Sequence, residues 1–265
     1  MAAGTPLRGS TVLVTGGGSG IGRLMALGAA TRGARVVIWD LDRERAEKVA
    51  AEIGGQAEAH VVDVSDPEDV RRAAATSRPP DVLINNAGVV TGTALLDATE
   101  QGITRTFGVN VLALYWTTRA FLPGMVDRNE GTVVTIASAA GLVGVAKQTD
   151  YSASKHAAVG FDESLRAELR TMRSKVRTLV VCPYYIDTGM FEGVRTRIPW
   201  LLPILQEDAV ATQVLDAIEH GKRRLILPWL VRLTPVMRIL PVRAFDFVND
   251  LLGVNKTMDH FRGRS

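Results

Sequence analysis

Short runs of β-branched and aliphatic residues alternate with longer segments of helical periodicity between residues 11 and 227. The runs VLVTG, RVVIWD and VVTIAS are almost continuously apolar, which is typical of strands buried on both faces. Strands of this kind that alternate with helices predict an α/β fold with a doubly wound parallel sheet flanked by helices. Because no linker or repeat interrupts the alternation, the sequence predicts one domain over residues 1–265.

The periodicity also places the individual elements. Strands are predicted at residues 11–15, 35–39, 60–64, 82–85, 132–137, 176–182 and 224–227. Helices are predicted at residues 21–31, 43–53, 67–76, 99–126, 151–172 and 207–220. Two prolines argue against a regular helix in residues 190–206.

Composition and charge exclude several classes of function. The net charge is +3 and no basic stripe is present, so we expect no nucleic-acid partner. The four histidines show no metal-binding spacing, and the single cysteine, Cys182, is expected to be a buried apolar residue. Residues 1–8 are too short and too polar for a signal peptide or a membrane anchor, which favours a cytoplasmic location.

A glycine-rich string, TGGGSGIG, joins the first predicted strand to the first predicted helix. Glycines permit a tight turn there and let the backbone approach a pyrophosphate, while the helix N-terminus stabilises its negative charge. The string therefore predicts a dinucleotide site of the Rossmann type. Its candidate cofactor-binding residues are Gly16, Gly18, Ser19, Gly20, Ile21 and Gly22.

The second predicted strand is followed by an acidic residue, Asp40. A carboxylate at this distance from the glycines accepts hydrogen bonds from the adenosine ribose and repels a 2′-phosphate. Ser19, and not a cation, stands just before Gly20. Both features favour NAD over NADP as the cofactor.

Further motifs follow in a fixed order: Asp63-Val64, Asn85-Asn86-Ala87-Gly88, Asn110, Ser138, Tyr151 with Lys155, and Pro183 with Thr188. With the glycine string, this ordered set resembles the short-chain dehydrogenase/reductase family over roughly residues 10–190. The resemblance implies a cofactor-binding and catalytic core in that range and hydride transfer between nicotinamide and an alcohol or ketone.

The resemblance also implies roles for single residues. Asp63 and Val64 would hold the adenine, and Asn86, Ala87 and Gly88 would lie beside the riboses. Ile186 and Thr188 would contact the nicotinamide, although Tyr184 replaces a glycine that is usual in the family. Asn110 would hold a water that links Lys155 to solvent, and Ser138 would hydrogen-bond the substrate oxygen.

The spacing of Tyr151 and Lys155 supports a catalytic pair on chemical grounds. Residues four apart lie on one face of a helix, which brings the ammonium near the phenol. A free phenol has a pKa of about 10 and is a poor base at neutral pH. A neighbouring cation and oxidised nicotinamide together favour the phenolate, so we expect them to lower the pKa of Tyr151 and to give it a role as general base or acid.

The C-terminal third resembles the branch that holds retinol dehydrogenase 10, epidermal retinol dehydrogenases and lipid-droplet hydroxysteroid dehydrogenases, without their N-terminal anchor. The resemblance implies lipophilic substrates such as retinoids and steroids. Residues 190–206 are expected to form an apolar lid in which Met190, Phe191 and Trp200 line the substrate pocket. The extension, residues 225–265, is either an interfacial membrane patch or a helical hairpin that closes the pocket or contacts a subunit.

The sequence also permits two alternative functions. One alternative is a carbonyl or oxoacyl reductase that uses NADPH, against which Asp40 and the apolar lid argue. A more remote one is an NAD-sensing scaffold, which would be expected to lose Tyr151 or Lys155. A homodimer, or a higher oligomer, is expected by analogy with the family.

Overall fold

Within residues 4–263, which the computed structural model describes, seven parallel strands form one sheet in the order β3-β2-β1-β4-β5-β6-β7. The strands are β1 Thr11–Thr15, β2 Arg35–Asp40, β3 Ala57–Val61, β4 Val82–Asn85, β5 Thr132–Ile136, β6 Arg177–Pro183 and β7 Arg224–Leu227. The order reverses between β1 and β4. In open parallel sheets, ligands bind at the carboxyl ends of the strands beside such a reversal.

Helices cover both faces of this sheet. They are α1 Gly20–Thr31, α2 Arg43–Ile53, α3 Pro67–Thr76, α4 Glu100–Phe107, α5 Ala113–Asp127, α6 Thr149–Thr171, α7 Glu207–Glu219, α8 Thr234–Met237 and α9 Val242–Leu252. Apolar residues of α1, α2 and α7 pack on one face, and those of α3, α5 and α6 pack on the other. The predicted doubly wound α/β fold in a single domain is confirmed.

The third strand begins three residues earlier than predicted. It pairs with β2 through Val36 opposite Ala57 and ends at Val61, so the predicted span 60–64 was displaced. The pattern misled because the most apolar residues of the segment, Val62 and Val64, are buried after the chain has left the sheet. The strand at the sheet edge is itself only partly buried.

The long helix predicted at residues 99–126 contains a π-helical segment, Gly108–Leu112, between α4 and α5. Periodicity did not reveal this segment because the apolar pattern continues through it. A buried asparagine, Asn110, lies at its centre. The chain between Gly189 and Leu205 forms turns without a helix, as its prolines predicted.

The C-terminal extension is built from short helices. A 3₁₀ helix, Trp229–Leu233, runs into α8, and α9 follows after Pro241. In the part of the chain that the structure describes, no helix combines the length and the apolar character needed to cross a bilayer.

Candidate active site

The glycine-rich turn lies between β1 and α1. Gly16 and Gly20 have φ values of 63° and 52°, in the left-handed region that favours glycine. A Cβ atom at Gly22 would lie 2.1 Å from the carbonyl oxygen of Gly16, so the helix can approach the turn this closely only without a side chain. The first turn of α1 holds no acidic residue. Its N-terminus therefore offers backbone N–H groups to an anion.

The Asp40 carboxylate is fixed by two backbone donors. One oxygen accepts from the Gly18 N–H at 2.8 Å, and the other accepts from the Asp42 N–H at 3.0 Å. Asp40 lines the main cavity, whereas Gly18 lies behind it and does not. The structure thus gives Gly18 the task of positioning Asp40, a role different from the direct cofactor contact that the sequence predicted.

Asp63 and Val64 border the same end of the cavity. One carboxylate oxygen of Asp63 accepts from the Ser65 N–H at 2.9 Å and from its hydroxyl at 2.6 Å. The Asp63 N–H donates to Asp69 at 2.7 Å. These bonds hold the Asp63 side chain at the cavity wall, where the resemblance expects the adenine.

The segment after β4 is tied to the glycine turn. Asn86 Nδ2 donates to the carbonyl oxygens of Thr15 at 2.9 Å and Gly16 at 3.1 Å. The Thr15 hydroxyl accepts from the N–H groups of Asn86 at 3.0 Å and Ala87 at 3.1 Å. Asn86, Ala87 and Gly88 all line the cavity, so one network joins both sides of the crevice at the strand reversal.

Ser138, Tyr151 and Lys155 converge at the middle of the cavity. Lys155 Nζ lies 5.7 Å from the centroid of the Tyr151 ring, as their spacing on α6 predicted. The ammonium donates to the Ile136 carbonyl at 2.9 Å, which fixes it at the end of β5. Ser138 accepts from the Ala140 N–H at 3.1 Å and forms a hydrogen bond with Tyr151.

Burial dominates the electrostatics of this pair. It raises the pKa of the Tyr151 phenol well above its ordinary value, against the opposing effect of the Ser138 hydrogen bond. It also lowers the pKa of Lys155 to about 8. The sequence predicted that Lys155 and oxidised nicotinamide lower the pKa of Tyr151. The protein by itself raises this pKa, because the phenol is removed from water, and the lowering by bound cofactor stays a prediction.

The hydrogen-bond partners of the Asn110 side chain are protein groups. Its Oδ1 accepts from the Val89 N–H at 2.8 Å, and its Nδ2 donates to the Val89 carbonyl at 2.9 Å and the Ser154 hydroxyl at 3.0 Å. It is buried and does not line the cavity. Its side chain links the segment after β4 to α6 and uses both Nδ2 protons, so a water relay through the side-chain amide would use the second lone pair of Oδ1.

Ile186 and Thr188 lie at the cavity, opposite the glycine turn. A Cβ atom at Gly20 would lie 3.5 Å from the Thr188 Cβ, which shows how closely the two segments approach. Tyr184, at the unusual position before them, donates its N–H to the Leu227 carbonyl at 2.8 Å. Its ring stacks edge-on against Tyr185 at 4.7 Å and also lines the cavity.

The whole cavity has a volume of about 770 Å³. At its apolar end, Phe191 packs edge-on against Tyr151 at 5.9 Å and against Tyr185 at 5.0 Å. Met190 also lines it, but Trp200 does not, because that side chain is 83% exposed on the outer side of the lid. The placement of Trp200 in the pocket is therefore corrected. In a segment of turns such as the lid, the sequence has no regular period that shows which apolar residues face the pocket.

Sequence reasoning did not assign the residues that close this end. They include Gln148 and Tyr185, and from the C-terminal extension Leu230, Val231, Met237 and Leu252. Only the alternative of a hairpin that closes the pocket pointed to the extension. Gln148 had a weak sequence signal, since it stands three residues before Tyr151.

The geometry fits a nicotinamide dinucleotide. The glycine turn leaves room for a pyrophosphate at α1, a fixed carboxylate lies at one end, and the tyrosine–lysine pair lies at the other. A buried phenol at the mouth of an apolar pocket can exchange a proton with a substrate oxygen. Together these features define a dinucleotide-dependent oxidoreductase.

Comparison with known proteins agrees. The model of the family described as short chain dehydrogenase matches residues 10–199. Human epidermal retinol dehydrogenase 2 is 41% identical over 96% of this chain and 85% of its own length. Human 17-beta-hydroxysteroid dehydrogenase 13 is 35% identical over 93% of this chain and 84% of its own length.

A solved short-chain dehydrogenase/reductase from Burkholderia phymatum in complex with NAD superposes with a TM-score of 0.80. It is 27% identical, and the match covers 89% of this chain and 95% of that one. The chain belongs to the short-chain dehydrogenase family, in the branch of retinol and hydroxysteroid dehydrogenases. The predicted family, branch and oxidoreductase class are confirmed.

Proposed function

We propose that this protein is an NAD-dependent dehydrogenase that interconverts a lipophilic alcohol and its ketone or aldehyde. The observation that carries the proposal is the continuity of the cavity. It runs from Asp40, past Ser138 and Tyr151, to an apolar end walled by Phe191 and Leu230. A site built this way joins a dinucleotide to an apolar substrate at a proton-transfer residue.

Preference for NAD over NADP rests on Asp40. Its carboxylate lines the cavity and is held rigidly by two backbone N–H groups. A carboxylate accepts hydrogen bonds from ribose hydroxyls and repels a phosphate in the same place. Two arginines, Arg45 and Arg105, line the cavity, and Arg45 pairs with Asp42 at 3.0 Å. The NADPH-dependent alternative would have to place a 2′-phosphate beside the Asp40 carboxylate.

Ser138, Tyr151 and Lys155 have separate roles in the proposed reaction. Ser138 orients the substrate oxygen, and Tyr151 accepts the alcohol proton in oxidation or donates it in reduction. NAD, when bound, would supply the hydride acceptor and the positive charge of the nicotinamide ring. Lys155 adds a second positive charge on the same helix face, 5.7 Å from the Tyr151 ring. The two cations offset the burial that otherwise favours the neutral phenol.

The test is initial-rate oxidation of short, long-chain, steroidal and retinoid alcohols with NAD and NADP in parallel. We expect kcat/KM to rise with apolar size and to favour NAD. The Tyr151→Phe variant should lose nearly all turnover and still bind NADH. The control is Tyr115→Phe, a half-exposed ring on α5 away from the cavity. Preference for NADP, or for small polar alcohols, would contradict the proposal.

We infer further that the C-terminal extension contacts a membrane surface. Its inner residues line the cavity, while its outer residues are large, apolar and exposed; they are Trp229, Leu233, Val236, Ile239, Leu240, Val242, Phe247 and Leu251. Exposed arginines, Arg238 and Arg243, lie among them and match anionic headgroups. A patch of this composition favours a lipid interface. Substrate would then enter from the bilayer side.

Vesicle flotation tests this contact. The protein should float with vesicles of phosphatidylcholine and phosphatidylserine, and Ile239→Glu should reduce the bound fraction several-fold. Leu96→Glu is the matched control, since Leu96 is 97% exposed and lies outside the extension. Equal flotation of the two variants would refute the contact.

A homodimer is proposed through α5 and α6. The support is the exposure of Leu112 and Tyr115 beside α5, with Tyr115 packed edge-on against Phe161 of α6 at 5.0 Å. Light scattering after gel filtration tests it. A monomer at micromolar concentration would contradict this assembly.

A further inference from the structure

Gln148 is a buried amide at the apolar end of the cavity that the mechanism does not use. It stands directly before α6, three residues ahead of Tyr151, and is fully buried while lining the cavity wall. Its Nε2 donates to the Met258 sulfur at 2.9 Å and to the Tyr185 hydroxyl at 3.4 Å. Both contacts use only the nitrogen end of the amide.

The hydrogen-bond chain beyond Tyr185 fixes which way the amide points. The Thr257 hydroxyl donates to the Val254 carbonyl at 2.8 Å, so it can only accept from the Tyr185 hydroxyl, at 2.8 Å. Tyr185 has then used its proton and can only accept from Gln148. Nε2 must therefore face Tyr185, and Oε1 points away from the Tyr185 hydroxyl.

Among residues 4–263, no donor reaches Gln148 Oε1, although this oxygen is buried. The hydrophobic side chains packed around Tyr185 and Met258 include Val145 and Phe191. A buried carbonyl oxygen without a donor is unfavourable, and a ligand that brings a donor relieves that cost. The oxygen is thus an unused acceptor at a mostly apolar end of the cavity.

We propose that Gln148 Oε1 accepts a hydrogen bond from a second hydroxyl on the substrate, so that the preferred substrates are lipophilic diols. This inference rests on the proposed dehydrogenase function and specifies its substrate class. In oxidation, the reacting carbinol gives its hydride to NAD and its proton to Tyr151. The second hydroxyl keeps its proton, donates to Gln148 and leaves the reaction unchanged.

The distance between the two substrate groups is short. Phe191 contacts both the Tyr151 ring and the Tyr185 ring, and Tyr185 contacts Gln148. Gln148 also stands directly before α6, three residues ahead of Tyr151, so the two residues lie about one helical turn apart along the helix axis. We expect the second hydroxyl to stand a few carbons from the reacting carbinol and not at the far end of a long molecule.

The experiment compares kcat/KM for decan-1-ol with that for decanediols whose second hydroxyl lies two to five carbons away. The methyl ether of each second hydroxyl and the corresponding ketone serve as compounds that accept but do not donate. We expect at least one diol to exceed decan-1-ol by roughly tenfold or more, and its ether and ketone to lose that advantage.

The Gln148→Met variant removes the amide and keeps the length of the side chain. We expect the ratio of kcat/KM for the best diol over decan-1-ol to fall toward one. Gln213→Met, on the exposed face of α7, is the matched control and should keep the wild-type ratio. The thermal shift caused by the diol in the presence of NADH reports the same preference in binding, and it does not depend on turnover.

The outcomes separate the two claims. If decan-1-ol is turned over and the ratio of kcat/KM for the best diol over decan-1-ol is equal in the wild type and Gln148→Met, this inference alone is overturned. A preference for the ketone overturns it too, because it would mean that Nε2 faces the substrate. Equal kcat/KM values for the diols and decan-1-ol in the wild type also overturn the inference. They would mean that a bound water, and not the second hydroxyl, donates to Gln148 Oε1. Absence of NAD-dependent turnover over the whole alcohol panel overturns the proposed function itself.

Discussion

Replacing Lys155 with methionine should stabilise the fold while it abolishes turnover. Lys155 is buried, and burial lowers its pKa from the ordinary 10.5 to about 8. At about 1.4 kcal/mol for each factor of ten, folding disfavours the protonated side chain by about 3 kcal/mol. The hydrogen bond to the Ile136 carbonyl, at 2.9 Å, offsets about 1 kcal/mol of this.

Methionine has a similar length and helix propensity but no charge. We therefore expect Lys155→Met to raise the free energy of unfolding at pH 7 by about 2 kcal/mol, and the melting temperature by roughly 5 °C. Urea unfolding followed by tryptophan fluorescence measures the first quantity. Lys48→Met on α2, where the lysine is exposed, is the control and should change stability by less than about 0.5 kcal/mol.

The pH dependence gives the sign of the effect independently. Below pH 8 the folded and unfolded wild type both hold the Lys155 proton, so the full cost is present at pH 7. Between pH 8 and 10.5 the folded protein loses that proton first, and the wild type gains stability relative to the variant. The advantage of Lys155→Met should therefore shrink across this range. A variant less stable than the wild type at pH 7, or a constant advantage up to pH 10.5, would refute the reasoning.

Three further substitutions test other parts of the site and core. Gly22→Ala places a Cβ atom 2.1 Å from the Gly16 oxygen and should abolish NADH binding, and unchanged binding measured by fluorescence would contradict this packing. Asp40→Ser should weaken NAD binding by about tenfold and narrow the discrimination against NADP in steady-state kinetics. An unchanged preference would remove Asp40 as the selector. Trp39→Phe removes the bond to the Ser77 hydroxyl at 2.9 Å and should lower the free energy of unfolding in urea by about 2 kcal/mol.

Each of these has a control in the chain. Gly160→Ala, in α6, meets no atom within 4 Å and should be neutral or stabilising. Asp208→Ser is the control for Asp40→Ser, since Asp208 lies on α7 outside the cavity. Trp229→Phe is the control for Trp39→Phe, since Trp229 is exposed. Losses of similar size in these controls would mean that the effects are not specific to the site.

Much of the cofactor half of the site could be predicted from the sequence. Local rules govern it, because a turn with positive φ requires glycine at Gly16 and Gly20, and a spacing of four places Tyr151 and Lys155 on one helix face. The parallel order of the strands brings these segments to one edge without further information. The substrate half could not be predicted in the same way, since it depends on how turns and short helices pack.

The sequence by itself determined the sheet, the glycine turn and the placement of Tyr151 and Lys155 on one helix face, because period, spacing and backbone sterics act over a few residues. Only the tertiary structure decided the rest. It exposed Trp200, used the Asn110 amide internally and raised the pKa of Tyr151 by burial. It also left Gln148 Oε1 buried without a hydrogen-bond donor among residues 4–263, in a side chain that lines the pocket. Burial and hydrogen-bond partners come from segments distant in the chain, which no local pattern records.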